Sequence, residues 1–469
     1  MNRWDWGLFP EAEAFLNEKI DTFLAHNEFA STLTSIVERG TSTRIFDWVD
    51  HLTIPRDEVE MDKIAKIGFR KKGASSGGEV FRVEGSTLFP IILGENRSWE
   101  LAITPESLDD FSRFVSSVSS PSISGAPYAS LRRMVLKEGA GFVFSAVERR
   151  GCPETEMGEW KEGKSGDEED GDTADYISAL RMLSARRRPP ASSQSADADT
   201  DEEGLREVEA LIGDLTRKIA PSRVADAFFR AEREYWTAKN YAAQVQKLRQ
   251  DAVGLGWGNA DHHTYRSSRR NFASLVGIFK LMGLEPRERF YAGSQAGWGA
   301  QILEQPNCGK VVFTDVDLGE GETFDFREFE EGSGSKSRRI GTVGLWVALN
   351  GESILQAGMH HLAARFRFGA LRDDLQRKGV GMMKPFSDFP FLRQAFSQIE
   401  YWKVDPGRAN ALMRDGRISR EDLTKFLDSG AIGSHLENIE RNQGFKGFNQ
   451  DSVSVIIRLT DPRAAGKAA

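Results

Sequence analysis

The chain has little cysteine, little histidine and no long apolar run. Its 469 residues include only Cys152 and Cys308. Two cysteines exclude a disulfide framework and a zinc ribbon, and make a reducing, cytoplasmic setting the expectation. No stretch approaches the roughly 18 consecutive apolar residues of a membrane-spanning helix. The opening MNRWDWGLFPEAEAF lacks a basic segment followed by an apolar one, so no secretory signal is read there. A net charge of -8 argues against a nucleic-acid-binding body. The basic run Arg186–Arg187–Arg188 reads as solvated linker. What remains is an ordinary globular balance, 39% hydrophobic, in a chain long enough for roughly two to four compact units.

Composition divides the chain into three parts. Residues 1–150 alternate helix and strand signals: a helix with Leu16, Ile20, Phe23 and Leu24 on one face, then strands at FDWVDHLTIP, LFPIIL and GFVFSAVE. Residues 151–204 hold EGKSGDEEDGDTADY and RRRPPASSQSADADTDEE, an acidic low-complexity linker with a short helix near 175–186. Residues 205–469 begin helically, with Leu205, Val208, Leu211, Ile212, Leu215 and Ile219 on one face, and Pro221 breaks the run. From 260 the pattern becomes β, α, β, β, β. DHHTYRSS opens it, and Phe272, Leu275, Val276 and Phe279 mark an amphipathic helix. The same order recurs from SILQAGMHHLAARF, a strand, through the helix FGALRDDLQRKG to PFLRQAF and, after a helical insertion, SHLENIERN. The fold expected is therefore α+β, with two βαβββ modules forming one cupped mixed sheet. A cup of that kind is a natural small-molecule site.

Four of the seven histidines form two pairs, His262–His263 and His360–His361, each opening a module. Neighbours in a strand point to opposite faces, so one histidine of each pair can face the cup. Two imidazoles and one carboxylate on one face of a metal leave positions open for a chelating substrate and dioxygen, as non-haem Fe(II) oxygenases need. Against this stands the ordinary reading of a strand histidine as a buried or surface residue with no metal. Spacing alone supports only a metal site as one option.

At these residues the segment 224–465 resembles the 2-oxoadipate dioxygenase/decarboxylase family of the vicinal oxygen chelate superfamily. FFRAEREYWTAKNYAAQVQKLRQ resembles the helix before its first module. Asp261, His262 and Arg266 match its Asp-His-x-x-x-Arg strand, and AQILEQPNCGKVVFTDVDL its next two strands, with Leu303 in place of a phenylalanine. His361 and Arg365 match Asn-His-Leu-Thr-x-Arg, and Lys384, Leu392, Arg393 and Gln394 a lysine followed by a Leu-Arg-Gln strand. GSHLENIERNQGFKGFNQDSV resembles the closing strand with its metal glutamate. The order of these patterns, over about half of the chain, carries the resemblance.

The resemblance implies Fe(II) held by His262, His361 and a glutamate. Counting back from Arg441 gives Glu437, which is preferred; aligning the isoleucine gives Glu440. Arg266 would bind the substrate carboxylate, Gln394 would be a polar group of the pocket, and His263 and His360 would support the ligands or be structural. The partners implied are a 2-oxo acid and O2, with a hydroxy acid and CO2 as products. A homodimer is admitted, with the N-terminal lobe as its surface or as a cover for the catalytic half.

Two other readings stay open. A zinc or nickel isomerase or hydrolase would need a fourth ligand, for which Asp315 or Asp317 is available. A non-catalytic protein would use the cup only to hold a ligand. The N-terminal lobe reads as a decayed relative of the second module, with His51 at the metal position, Pro55 at the arginine, and Ala146 or Glu148 near the glutamate. It is expected to bind no metal of its own; a second site from His51 and Glu148 is the alternative.

Overall fold

Among the described residues eighteen strands carry the architecture, sixteen of them in two eight-stranded sheets. The computed structural model describes residues 6–116, 122–153, 171–186, 198–291, 297–319, 340–449 and 461–463. The first sheet holds β1 (Val49–Pro55), β2 (Phe69–Ser75), β3 (Gly78–Val83), β4 (Ile91–Gly94), β5 (Trp99–Ile103), β6 (Ile123–Ser124), β7 (Leu131–Gly139) and β8 (Phe142–Arg149). Its order is β2-β3-β4-β1-β5-β8-β7-β6. The second holds β9 (Ala260–Arg266), β10 (Glu285–Tyr291), β11 (Trp298–Gln305), β12 (Lys310–Asp317), β13 (His361–Arg365), β14 (Ser387–Phe389), β15 (Leu392–Phe396) and β18 (Glu437–Arg441). Its order, β10-β11-β12-β9-β13-β18-β15-β14, repeats the first position for position. Short strands β16 (Tyr401–Trp402) and β17 (Ala431–Ile432) pair with each other beside the helices Pro406–Arg414 and Arg420–Ser429, the expected helical insertion.

Each sheet is two βαβββ modules joined edge to edge through their first strands, β1 to β5 and β9 to β13. The fold is α+β: two mixed sheets of paired βαβββ modules with flanking helices. The N-terminal strands thus form two complete modules, where the sequence suggested one decayed unit. His51 lies on β1, which answers to β9, so it corresponds to His262 rather than to His361. SILQAG, expected as strand, is instead a turn of π-helix at Ser353–Ala357. Of the expected linker, residues 154–170 and 187–197 lie outside the described residues, and the remainder includes the helices Gly171–Ala185 and Ala198–Thr216. No helix among the described residues is long and apolar enough to cross a membrane.

Alternation along the strands divides the second sheet into a helix-covered face and a cavity face. Tyr265, Leu362 and Ala364 join the core under the helix Pro221–Thr237 through Phe228 and Phe229, and His263 stacks on Phe229. On the other face Ala363 and Ile439 meet Phe290, Trp298, Phe313 and Phe448. The loop after β18 that brings Phe445 and Phe448 to this face is tied to the N-terminal half. Phe9 N donates to Gln443 O at 2.7 Å, and Thr87 N to Gly444 O at 3.0 Å. Gly444 has φ +63° and lies so close to Leu88 that a β-carbon would meet its Cγ at 3.0 Å, which favours glycine there.

Candidate metal centre

Sheet register brings the three expected ligands together. His262 on β9 lies opposite Ala363 on β13, and Ala363 lies opposite Glu437 on β18. His361 precedes Ala363 by two residues and so shares its face. The result is a row His262–Ala363–Glu437 with His361 beside it, and the small alanine side chain leaves room over the sheet. His361 Nε2 is 2.8 Å from Glu437 Oε2, His262 Nε2 is 3.4 Å from the same oxygen, and the two Nε2 atoms are 3.3 Å apart. All three side chains are buried.

A β-bulge places a carboxylate behind the first of them. The β9–β13 register skips Asp261, and a bulge re-aims the side chain it carries. Asp261 Oδ1 is 3.3 Å from His262 Nδ1. Its oxygens also accept from Arg441 Nε at 2.8 Å and Nη2 at 3.0 Å. The carboxylate draws the His262 proton to Nδ1 and leaves a lone pair on Nε2 facing the cluster. Arg441 also donates to the carbonyls of Phe445 and Gly447, at 3.2 and 2.7 Å, so one guanidinium anchors both the carboxylate behind His262 and the closing loop. Gln394 Nε2 donates to Glu437 Oε1 at 2.9 Å, and Ser387 Oγ donates to Gln394 Oε1 at 2.7 Å. Glu437 is thereby held by one oxygen with the other turned to the histidines.

The electrostatics fit a cation. Burial alone would raise the Glu437 carboxyl, but His262 and His361 outweigh it and hold the group well below the usual carboxylate range. Burial would lower His262, and Glu437 with Asp261 more than offset it, leaving it above its usual value. For His361 burial prevails over the Glu437 contact and lowers it. A buried carboxylate oxygen and two imidazole lone pairs crowded together are stabilised by positive charge among them. The cluster suits a divalent metal.

Glu440, the other glutamate considered, faces away. Its Oε2 accepts from Phe368 N at 2.8 Å, at the first turn of the helix Phe368–Arg377. Asp317 is likewise engaged by a helix start, accepting from Val343 N and Gly344 N at 3.0 and 2.9 Å. Asp315 lines the cavity but is outside the ligand groups found among the described residues. The β12 residue in the row of His361 is Phe313, paired with Thr264, and its ring centroid is 4.8 Å from that of His262. An apolar ring therefore stands where a fourth ligand from this strand would be sought.

The cavity beside the cluster has about 550 Å³ of empty space, mouth included. Its walls include Phe290, Trp298, Phe313, Phe386, Phe396 and Phe448, with Thr264, Asp315, His360 and His435 as further polar groups. Arg266 is fully buried behind this wall, its Nη2 3.0 Å from His360 Nε2 and its guanidinium 5.3 Å from the Trp346 ring centroid. His263 points to the other face, stacked on Phe229 at 4.7 Å. His435 was not singled out from sequence. The available signal was its place two residues before Glu437, hence on the same face of an extended chain.

The first sheet carries the same scaffold with other chemistry. Its β1–β5 register skips Asp50 just as β9–β13 skips Asp261. Asp50 Oδ2 is 2.7 Å from His51 Nδ1 and is gripped by Arg149 at 2.7 and 2.9 Å, as Asp261 is by Arg441. By register, Glu100 takes the place of His361, Ser145 that of Glu437 and Arg133 that of Gln394. Glu100 Oε1 accepts from Ser145 Oγ at 2.6 Å and from Arg133 Nη2 at 2.7 Å, so a fixed cation serves this carboxylate. Glu148 answers to Glu440: it accepts from Leu108 N at 2.9 Å, at a helix start, and pairs with Arg132 and Arg150. The structure does not bring His51 and Glu148 into a cluster among the described residues.

No family model matches the chain, and no curated protein does. Solved structures do. One is a methylmalonyl-CoA epimerase from Mycobacterium tuberculosis, 13% identical over 39% of this chain and 89% of that one, with a TM-score of 0.22. Another is a mutant 4-hydroxymandelate synthase from Streptomyces coelicolor, 11% identical over 77% and 96%, with a TM-score of 0.30. A third is a fusion of a xylose isomerase-like TIM barrel with a 4-hydroxyphenylpyruvate dioxygenase, 11% identical over 92% and 54%, with a TM-score of 0.23. At these scores the likenesses carry no argument about activity, and the case for a metal centre rests on the residues themselves.

Proposed function

We propose that the chain is an Fe(II)-dependent dioxygenase that decarboxylates a 2-oxo acid, 2-oxoadipate or a close analogue, to the hydroxy acid one carbon shorter. The observation that carries this reading is the meeting of His262 Nε2, His361 Nε2 and Glu437 Oε2 on the wall of an aromatic cavity. Two imidazoles and one carboxylate with positions left open are the donor set of a non-haem Fe(II) oxygenase, and β12 offers Phe313 where the fourth ligand of a zinc or nickel isomerase would be sought. In the overall reaction the C1–C2 bond breaks, C1 leaves as CO2, and the two atoms of O2 end in the new carboxylate and the new hydroxyl. O2 takes up four electrons, two from the decarboxylation and two from the C–H bond that is hydroxylated.

Bound iron would supply a chelation point for the keto and carboxylate oxygens and would activate dioxygen. The chain's own part is positional. Asp261 keeps His262 Nε2 free of a proton, Gln394 holds the outer oxygen of Glu437, and the phenylalanine walls exclude water. Arg266 supplies the positive charge for a substrate carboxylate, acting through His360 from behind the wall. Residues 205–469 form the catalytic part in this reading. Residues 1–150 cover it and brace the loop of Phe448, and 151–204 connect the two.

The test is an oxygen-electrode assay of the iron-loaded chain against a panel of 2-oxo acids, with CO2 measured in parallel. One O2 consumed and one CO2 released per hydroxy acid is expected. An iron-loaded protein that takes up no oxygen with any of them defeats the reading.

A further inference from the structure

His360 and His435 line the cavity beside the cluster, and both are buried. Among the described residues neither ring nitrogen of His435 has a hydrogen-bond partner, and neither does His360 Nδ1. The two rings meet edge to face with centroids 4.6 Å apart. One nitrogen from each of His360, His361 and His435 lies within 4.8 Å of the others.

Three imidazole nitrogens so placed invite a second metal position, and Arg266 argues against it. A guanidinium has no lone pair to offer, so at 3.0 Å Arg266 Nη2 must donate and His360 Nε2 must accept. The proton of neutral His360 is then on Nδ1. A protonated nitrogen is no ligand; it is a buried donor with no acceptor among the described residues. Behind the wall, Arg266 Nε and Nη1 are further buried donors without partners among the described residues, and neutral His435 adds one N–H and one lone pair. Asp315 Oδ1 is the unpartnered acceptor among the cavity-lining carboxylates described. With the Arg266 donors behind the wall counted in, donors outnumber acceptors around this end of the cavity, and the guanidinium adds a buried positive charge there. The ligand that matches such a surplus is an anionic, oxygen-rich group.

We propose that His360 and His435 bind a carboxylate of the substrate beside His361. The assignment rests on the preceding reading only in taking the substrate to be an acid. The experiment uses the full chain loaded with Mn(II) in the absence of oxygen, and oxalate as the probe, titrated by calorimetry. His435→Phe and His360→Phe are expected to weaken oxalate about tenfold or more while each keeps one Mn(II) per chain, because a hydrogen bond to a charged group is lost. His435→Gln, which restores an N–H, should stay within about threefold of wild type. Should His435→Phe fail to fold, His435→Leu gives the same readout.

Unchanged oxalate affinity in both phenylalanine variants overturns the proposal. So does a wild type that binds Mn(II) but not oxalate, a second Mn(II) per chain, or loss of Mn(II) from either phenylalanine variant. A chain that binds Mn(II) and oxalate as expected yet consumes no oxygen with any 2-oxo acid refutes the reaction and leaves this assignment standing. Active variants with unchanged oxalate affinity refute the assignment and leave the reaction.

Discussion

Replacing Gln394 with methionine removes the outer hold on Glu437 while keeping nearly the same volume. Both side chains are 3% exposed, so water cannot replace the lost donor. The bond removed is Gln394 Nε2 to Glu437 Oε1 at 2.9 Å, a hydrogen bond to an ionised acceptor, worth about 1.5–3 kcal/mol. At about 1.4 kcal/mol per decade that is about 10–100-fold in metal affinity, the range found for outer partners of metal ligands. Ser387 Oγ loses its acceptor as well, which should cost the fold about 1 kcal/mol. The assay is an anaerobic Fe(II) titration of the metal-free protein against a chelating dye, with a urea melt alongside. A folded Gln394→Met protein whose iron affinity lies within about twofold of wild type would refute the reasoning.

Other substitutions separate position from mere presence. Glu440→Ala should retain metal and lose about 1 kcal/mol as a helix start goes uncapped, read as metal content and urea midpoint. Arg441→Met leaves Asp261 buried without its bidentate partner, and Arg149→Met does the same to Asp50. Each should cost about 3–5 kcal/mol of stability, while only Arg441→Met should weaken metal binding. The pH dependence of Asp315 can be read by difference. Burial, opposed by Arg266 and His262, pushes its carboxyl up to about 7 from 3.8. The folded chain therefore favours the neutral acid, and stability from this group is full below the unfolded value and declines as pH rises toward about 7. The buried histidines, held neutral, act in the opposite sense. The prediction is thus that Asp315→Asn gains on wild type in urea melts as pH rises from about 4 to about 7, and gains no further above that.

What could be read in the sequence was what local periodicity carries. His262 and His263 lie on β9, and alternation sends them opposite ways. His360, however, precedes β13 and lines the cavity together with His361, so the second pair does not divide as the first does. The same parity separates Glu437 from Glu440, since three residues apart in a strand means opposite faces. The choice between them needed the partner across the sheet, which is a long-range fact. The bulges at Asp50 and Asp261 escaped for the same reason, because a skipped residue shows only in pairing. The N-terminal modules were hard to see because β2, FRKKGAS, buries only its phenylalanine and shows no alternation. Arg266 illustrates a further gap. Its strand and face follow from parity, but whether its guanidinium lines the cavity or sits behind His360 is decided by packing against Trp346.

The most direct test of the account is the metal content of the chain after anaerobic Fe(II) loading and desalting, in wild type and in His262→Ala, His361→Ala and Glu437→Ala. The geometry of the cluster predicts one iron per wild-type chain and little or none in each folded variant. Iron retained at the wild-type level by folded His361→Ala and Glu437→Ala would contradict it.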